Sequence, residues 1–243
     1  GFNGIIKKEK VGGHLKYSIK YPEFDGLFDL KNIQNYSAKI AKIIKHIDKC
    51  NGIVFIYSQY INSGIVPLAL ALEYAGYSKY GNSLIKDRVE QKGNYIIISG
   101  NNDLSANAYS EYIKLQDSNK NGEKIKIILG SETAAEGLDF SYIREVHILD
   151  PWFHLNKIEQ VIGRGIRNCS HIDLPSKERN VTIFLYAAVK SNKPIDDNET
   201  VDLEIYRKGE LKSTQMAEIE YLLKTSAVDC YLNIHGNKFD NDI

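Results

Sequence analysis

The sequence predicts an α/β fold, in which a parallel β-sheet carries helices on both faces and a helical extension follows at the C-terminus. Short β-branched runs typical of buried strands alternate with segments whose apolar residues recur at helical spacing. Strands that alternate with helices form parallel sheets with right-handed crossovers. We therefore expect a lead-in strand region over 1–36, the α/β lobe over 37–190 and the helical extension over 191–243.

The composition is that of one soluble globular domain with appendages. Of 243 residues, 43% are apolar and 26% are charged, so the chain can bury a substantial core. Lysine and arginine total 31 against 31 acidic residues, and bulk charge therefore gives no nucleic-acid signal. The first twenty residues hold five lysines and one glutamate, a weak local patch for which a solvated surface is the favoured interpretation.

The strands are predicted from two kinds of pattern. Apolar and polar residues alternate from His14 to Tyr21, which indicates a half-buried strand or hairpin arm that Pro22 ends. Continuous apolar runs are typical of strands buried in a parallel sheet. These runs are Ile53–Tyr57, Tyr95–Ser99, Ile125–Leu129, Val146–Leu149 and Val181–Ala188.

Helices are predicted between these strands from spacing and from end signals. A lysine-rich helix begins at Ser37, and Pro67 and Gly76 suit the first turn and the C-terminal cap of the next helix. Further helices are expected over 105–116 and around Ile158–Ile166, whereas 79–93 has no period and is expected to be a loop or insertion. Helical spacing returns over 201–225 with an interruption at Gly209, and a helical pair packed on the lobe is favoured over a partner-binding arm.

Two polar segments follow strands in the second half of the lobe. GSETAAEGLDF (130–140) comes directly after an apolar run, and QVIGRGIR (160–167) lies on the next helix. The carboxyl ends of parallel strands offer side chains to ligands in sheets of this kind. Within the second segment, Arg164 and Arg167 are three residues apart, which predicts that both lie on one helical face and reach a single phosphate group.

These segments carry a resemblance to a known family. GSETAAEGLDF resembles motif V of superfamily 2 helicases, and QVIGRGIR is similar to their motif VI, QxxGRxxR. The intervening REVHILDPWFHLNKIEQ resembles the large-DNA-virus helicases that include poxvirus nucleoside triphosphate phosphohydrolase I and the early transcription factor small subunit. The Snf2 remodellers show a similar Asp-Pro-Trp. The resemblance implies a RecA-like lobe, the second of the two that such helicases contain.

The resemblance also implies roles for individual residues. It assigns Arg164 and Arg167 to the γ-phosphate of ATP, with Arg167 as the main arginine finger. It places Gln160, Gly137 and Asp139 at the nucleotide, where Asp139 accepts from a ribose hydroxyl. The expected nucleic-acid contacts are Ser58, Gln59, Gly130, Ser131 and Thr133, although an ordinary turn remains an alternative for both loops. Trp152 is expected to be a packing anchor rather than a base-stacking platform.

No phosphate-binding loop of the form GxxxxGK[ST] occurs in the chain, nor a carboxylate pair placed to hold magnesium. In superfamily 2 enzymes these parts belong to the first RecA-like lobe. ATP with Mg²⁺ is therefore expected to be bound mainly by an N-terminal lobe of the same longer protein. The chain alone is predicted to be inactive as an ATPase, although the whole protein is expected to be an NTP hydrolase.

The remaining expectations concern partners and compartment. Nucleic acid is the expected partner, with DNA favoured over RNA, and the transcription machinery is a further candidate; no membrane or metal partner is expected. The three cysteines are far apart and odd in number, which favours a reducing intracellular compartment. For a viral protein this compartment would be the cytoplasmic viral factory or the virion. The alternative to a motor lobe is a non-catalytic module that docks on a transcription or packaging partner.

Overall fold

The computed structural model describes residues 2–85, 92–135, 138–190 and 199–228. Two strands, β1 (Ile6–Val11) and β2 (His14–Ile19), form an antiparallel hairpin at the N-terminus. The main sheet contains β3 (Ile53–Tyr57), β4 (Tyr77–Lys79), β5 (Gly93–Ile98), β6 (Ile127–Gly130), β7 (Ile143–Ile148) and β8 (Thr182–Leu185). These six strands are parallel and lie in the order β4-β5-β6-β3-β7-β8, which confirms the predicted parallel sheet.

Helices connect and cover the strands. They are α1 (Phe2–Ile5), α2 (Ile33–Tyr36), α3 (Ala38–Ile47), α4 (Val66–Tyr74), α5 (Asn102–Ser105), α6 (Ala108–Leu115), α7 (Leu155–Gly165) and α8 (Val201–Ser226). A π-helical turn (Ile61–Ile65) leads into α4. The hydroxyl of Ser37 accepts a hydrogen bond from the N–H of Ile40 at 3.3 Å, so Ser37 caps the N-terminus of α3 as its position predicts.

The sheet separates two apolar cores. Successive side chains of β3 point to opposite faces: Val54 and Ile56 join the core under α3 and α4, whereas Ile53 and Phe55 join the core under α6 and α7. All five residues of β3 are buried. Helices therefore lie on both faces of the sheet, as the alternation of patterns predicts.

Three predictions about individual elements are wrong. The strand predicted as buried over Val181–Ala188 is the edge strand β8, and Ile183 and Leu185 are 40% and 51% exposed there because no further strand pairs with β8 among the described residues. The loop predicted from Lys79 starts one residue too early, because Lys79 ends β4, whereas the described residues 80–85 lie in no helix or strand, as predicted. The tail is one continuous helix, α8, rather than a helical pair.

The glycine that was expected to interrupt α8 has a packing role. A Cβ at Gly209 would lie 3.4 Å from the carbonyl oxygen of Trp152 and 3.5 Å from Leu155, so the missing side chain lets α8 approach the start of α7. A helix tolerates one glycine at a cost of about 1 kcal/mol, which explains why the pattern break is not a chain break. Trp152 packs against the second core, as expected of an anchor.

A buried carboxylate that the sequence does not reveal holds the segment after β4. Glu73 on α4 is 1% exposed. Its two oxygens accept four hydrogen bonds, from the hydroxyls of Ser83 (2.7 Å) and Tyr95 (2.8 Å) and from the N–H groups of Leu84 (2.6 Å) and Ile85 (2.7 Å). Full hydrogen bonding is what makes a buried charge tolerable. The segment that Glu73 fixes therefore has defined structure without an apolar period.

Replacing this carboxylate tests its contribution to stability. We expect Glu73→Gln to lower the free energy of unfolding by about 2 to 4 kcal/mol, because an amide NH₂ group then faces donors and charge-assisted bonds are lost. Glu111→Gln is the matched control, since Glu111 forms an exposed ion pair with Lys114 and its loss should cost less than about 0.5 kcal/mol. Urea unfolding followed by circular dichroism measures both values, and equal effects would contradict this role of Glu73.

Candidate functional site

The first part of the candidate site lies at the carboxyl edge of the sheet, where β3, β6 and β7 end side by side. β3 pairs in parallel with β6 on one side and with β7 on the other. The chain leaves β3 toward α4 on one face and leaves β7 toward α7 on the opposite face. Neighbouring strands whose connections diverge in this way open a crevice, which is the usual ligand position in parallel sheets.

The end of β3 is tied to the end of β7 by side chains. Ser58 is fully buried, and its hydroxyl donates to the carboxylate of Asp150. The amide of Gln59 donates to the carbonyl of Pro151 at 3.3 Å. A Cβ at Gly64 would overlap the Ser58 hydroxyl, so this turn requires glycine. The structure therefore brings both predicted residues to the edge, but the Ser58 side chain faces Asp150 rather than the surface.

Asp150 belongs to a polar network that sequence analysis missed. Burial raises the pKa of its carboxyl group, while the Ser58 hydrogen bond and nearby Lys39 oppose that rise. The Lys39 ammonium lies 3.9 Å from Asp150 and 3.0 Å from Asp202 at the start of α8. Asp202 in turn accepts the N–H of Ala188 at 2.8 Å. The network therefore joins α3, the two strand ends and α8.

The motif V segment starts within the sheet and then reaches the surface. Gly130 is the last residue of β6, and the N–H of Ser131, which is 3% exposed, donates to the carbonyl of Ile98 at 3.0 Å. Thr133 is exposed on a 3₁₀ turn (Glu132–Ala135). Gly137, predicted at the nucleotide, lies outside the described residues. Of the three described positions predicted at the nucleic acid in this segment, Thr133 has its side chain at the surface.

The arginines of the motif VI segment converge by a route that the sequence did not predict. Helix α7 ends at Gly165, and Ile166 has φ −120° and ψ 81°, so Arg167 lies beyond the helix and the prediction of one helical face is wrong. Arg164 nevertheless donates to the carbonyl of Leu138 at 3.5 Å, and the Arg167 guanidinium pairs with the Asp139 carboxylate at 2.7 Å. Both side chains thus reach adjacent residues of the motif V segment.

Arg167 is accessible beside an open cleft. Its side chain is 41% exposed, and that of Asp139 is 60% exposed. An exposed ion pair of this kind is worth about 0 to 1 kcal/mol, so the guanidinium can change partner at little cost. Gln160 is also exposed, on α7. The cleft has a volume of about 480 Å³ and is lined by Ile166, Arg167, Asn168, Cys169, His171, Ile172, Arg179 and Val181.

The two glycines of QVIGRGIR differ in their surroundings. A Cβ at Gly165 would lie 2.9 Å from a methyl group of Val146 and 3.2 Å from Ile143, so the end of α7 lies close against β7. A Cβ at Gly163 would meet nothing within 4 Å. Close approach of β7 therefore accounts for Gly165, whereas no neighbour among the described residues accounts for Gly163.

Other kinds of site find little support. Among the described residues, no three His, Cys, Asp or Glu side chains are grouped in a way that could hold a metal ion. Over the same residues, the structure has no helix with the length and apolar character needed to cross a membrane. Cys50 and Cys169 are free thiols, and burial raises the pKa of the Cys50 thiol to about 12. Cys230 lies outside the described residues.

A RecA-like α/β lobe with a motif V segment after β6 and an arginine pair at the end of α7 defines the class of helicase second lobes. The model of the family "Helicase conserved C-terminal domain" matches residues 38–169, and the chain belongs to this family. That match spans α3 to just beyond α7 and includes every predicted site residue.

Relatives of the chain occur in large DNA viruses, which confirms that part of the resemblance. It is 33% identical to the candidate ATP-dependent RNA helicase R563 of Acanthamoeba polyphaga mimivirus, over 99% of this chain and 40% of that protein. It is 31% identical to a termination factor NPH-I homologue of African swine fever virus, over 82% of this chain and 34% of that protein. Among solved structures, the C-terminal part of the Fun30 ATPase domain aligns with 70% of this chain and 45% of that chain, with 14% identity and a TM-score of 0.47. The chain thus spans two fifths or less of these two viral relatives.

The different surroundings of Gly163 and Gly165 allow a direct test of how closely α7 packs on β7. Gly165→Ala should lower the free energy of unfolding by about 1 to 3 kcal/mol, because a methyl group must displace Val146 and Ile143. Gly163→Ala, two residues earlier, should raise it by up to about 1 kcal/mol, because alanine favours the helix and meets open space. Thermal melting of both variants measures the difference, and a stable Gly165→Ala protein would show that α7 does not lie this close to β7.

Proposed function

We propose that this chain is the second lobe of an ATP-dependent superfamily 2 helicase or translocase of a large DNA virus, acting in transcription or genome handling. In this proposal it supplies an arginine finger to ATP and backbone contacts to nucleic acid. The observation that carries the proposal is the convergence of Arg164 and Arg167 on residues 138 and 139 beside an open cleft. Family membership supports the helicase assignment, and the roles of individual residues are inferred from their chemistry.

The arginine pair suits a phosphate group. Arginine is permanently charged, and its planar fork matches phosphate oxygens. When a first lobe brings ATP to the end of α7, Arg167 exchanges the Asp139 carboxylate for the γ-phosphate, and Arg164 approaches from the last turn of α7. The arginines then neutralise the charge that develops on the transferring phosphoryl group only when the two lobes are closed around ATP. Asp139, freed of Arg167, can accept from the ribose, with Gln160 and Gly137 as further nucleotide contacts.

Magnesium and the phosphate cradle belong to the first lobe in this proposal. Mg²⁺ held there would supply positive charge to the phosphate groups. The sequence contains no GxxxxGK[ST] loop, which fits the division of labour between two lobes. We infer that the nucleic-acid contacts come from Gln59, the exposed Thr133 hydroxyl and the backbone at Gly130 and Ser131, with Ser58 orienting the turn from beneath.

The kind of nucleic acid and the role in transcription are inferred from the names of two relatives and from the chemistry of phosphate contacts. The name of the swine fever virus relative, a termination factor, favours transcription, and the name of the mimivirus relative refers to RNA. Contacts to phosphates carry no sequence information and are made with either nucleic acid. We propose DNA as the substrate, and stimulation of ATP hydrolysis by matched DNA and RNA strands distinguishes the two.

A second candidate function rests on α8. After Gly209 this helix exposes Leu211, Ile219, Leu222 and Leu223, each more than half exposed. An apolar helix surface of this kind suits docking on a protein partner, as in a non-catalytic helicase-derived module. The two candidates differ in what they require of Arg167, since a docking module needs no phosphate-facing arginine.

The first test uses this chain alone. Because the phosphate cradle is expected on another lobe, the 243-residue chain should hydrolyse no ATP above buffer, with or without DNA. Release of inorganic phosphate by a homogeneous preparation measures this. Turnover that copurifies with the monomeric chain and persists in an Arg167→Ala preparation would contradict the half-site proposal and reveal an unrecognised nucleotide site.

The second test uses the longer natural protein. Arg167→Ala should lower nucleic-acid-stimulated ATPase activity by roughly 10³ to 10⁵, as for arginine fingers in other phosphoryl-transfer enzymes, while nucleic-acid affinity and melting temperature stay near wild type. Arg167→Lys should restore little, because an ammonium group lacks the planar fork.

Arg207→Ala is the matched control for the second test. Arg207 lies on α8 and forms a similar exposed ion pair, with Glu199 at 2.6 Å, so its loss removes the same charge away from the cleft. This variant should retain full activity. Retention of hydrolysis by Arg167→Ala within about tenfold, a loss under about 1.4 kcal/mol, would identify Arg167 as a surface arginine and favour the docking module.

A further inference from the structure

The β1–β2 hairpin is a basic element in a chain of zero net charge. Five lysines and one glutamate lie between Ile6 and Lys20, and Lys8 and Lys10 are exposed. These two residues lie opposite Tyr17 and Leu15 in the hairpin register. Being two residues apart on one strand, Lys8 and Lys10 lie on the same face at a spacing of about 7 Å. Each can therefore meet a separate phosphate.

The hairpin adjoins the carboxyl edge of the sheet. The ammonium of Lys10 contacts the carboxylate of Asp103 on α5 at 2.8 Å, and α5 also contacts β2. Helix α5 directly follows the carboxyl end of β5. A Cβ at Gly100, in the turn between them, would lie 3.3 Å from the hydroxyl oxygen of Thr133. Thr133, the 100–103 turn and the hairpin thus form one continuous surface.

The length of this surface corresponds to a few nucleotides of one strand. Three residues of extended chain span at most about 11 Å, which bounds the path from Gly100 to Asp103. A strand of B-form DNA advances about 3.4 Å per nucleotide, so roughly three nucleotides cover that path. Asn101 and Asn102 lie between the two ends and are polar without charge. Phosphates can therefore pass from Thr133 to the lysines without meeting a carboxylate other than Asp103 in this turn.

We propose that the β1–β2 hairpin is a second nucleic-acid contact of this lobe, in which Lys8 and Lys10 bind phosphates of the strand that the Thr133 turn contacts. This inference rests on the proposed function and extends its nucleic-acid site by an element outside the matched family region of 38–169. Asp103 holds Lys10 in place and competes with phosphate for it. The exposed pair is weak, so a polyanion that releases counterions displaces the carboxylate.

Two charge-matched double variants test the contact in the 243-residue chain. Lys8→Ala with Lys10→Ala should weaken binding of a fluorescein-labelled mixed-sequence DNA strand at low salt. The slope of log affinity against log salt concentration should fall in magnitude by about 1.4, or about 0.7 for each lost phosphate contact on a single strand. Lys45→Ala with Lys49→Ala removes the same charge from exposed positions at the end of α3, toward the amino edge of the sheet, and should leave the slope unchanged.

A third variant changes the charge in the opposite sense. Asp103→Asn keeps the size of the side chain and frees Lys10, so affinity should rise and the salt dependence should steepen. This variant needs no lysine to be lost, and it keeps the test decisive if the hairpin double variant unfolds. Melting temperatures establish which variants are folded.

The outcomes separate failure of this inference from failure of the proposed function. Binding by wild type with equal slopes for both double variants, or an unchanged affinity for Asp103→Asn, would overturn the hairpin contact and leave the Thr133 site standing. An absence of any binding by wild type at low salt would overturn both. Equal weakening by both double variants would show a diffuse charge effect and would also overturn the hairpin contact.

Discussion

The pairing of β3 with strands on both of its sides is the constraint on which the rest of the structure depends. Every residue of β3 is buried, and the side chains on its two faces pack into two separate apolar cores. Each backbone polar group of such a strand needs a partner, and β6 and β7 supply them in parallel register. The parallel register aligns the carboxyl ends of the three strands, so the loops that follow them share one edge. The part of the candidate site that contains Ser58, Gln59 and the start of the motif V segment is formed by these loops.

Polar interactions then set the shape of this edge. Ser58 and Gln59 bind to Asp150 and Pro151, and Lys39 links Asp150 to the start of α8. Ser58, Asp150 and Lys39 are largely buried and paired, which makes them suited to holding loops rather than to binding a ligand. The arginines at the end of α7 are different. Arg167 pairs with the exposed carboxylate of Asp139, which a phosphate can replace.

This contrast suits the proposed closure of the lobe on a nucleotide. The hydrogen-bonded network around Asp150 is buried, whereas the ion pair of Arg167 with Asp139 is exposed at the surface. The same contrast appears at the hairpin, where Lys10 contacts Asp103 through an exposed pair. In a chain without net charge, such local arrangements rather than the overall field decide where an anion binds. Exposed pairs have low intrinsic stability and are therefore the parts of the surface that can exchange partners.

Local pattern was sufficient to predict much of the fold. The run Ile53–Tyr57 is a strand with those same bounds, Ser37 caps α3, and the alternation of strands and helices produced a parallel sheet. These features depend on neighbours in the chain, namely side-chain periodicity, capping and turn residues. The motif V and motif VI segments were likewise recognisable, because residue type and order identify them without coordinates.

The sequence alone was therefore sufficient to predict the fold class, to identify the family and to single out candidate residues. The surroundings of those residues were known only from the three-dimensional structure. The departure of Arg167 from the helix, the burial of Ser58 against Asp150 and the different environments of Gly163 and Gly165 all depend on contacts between residues distant in the chain. The same is true of Glu73, whose four donors follow it by ten or more residues. Periodicity reports which face of an element is apolar, whereas a contact depends on how whole elements pack, and that information is spread over the entire chain.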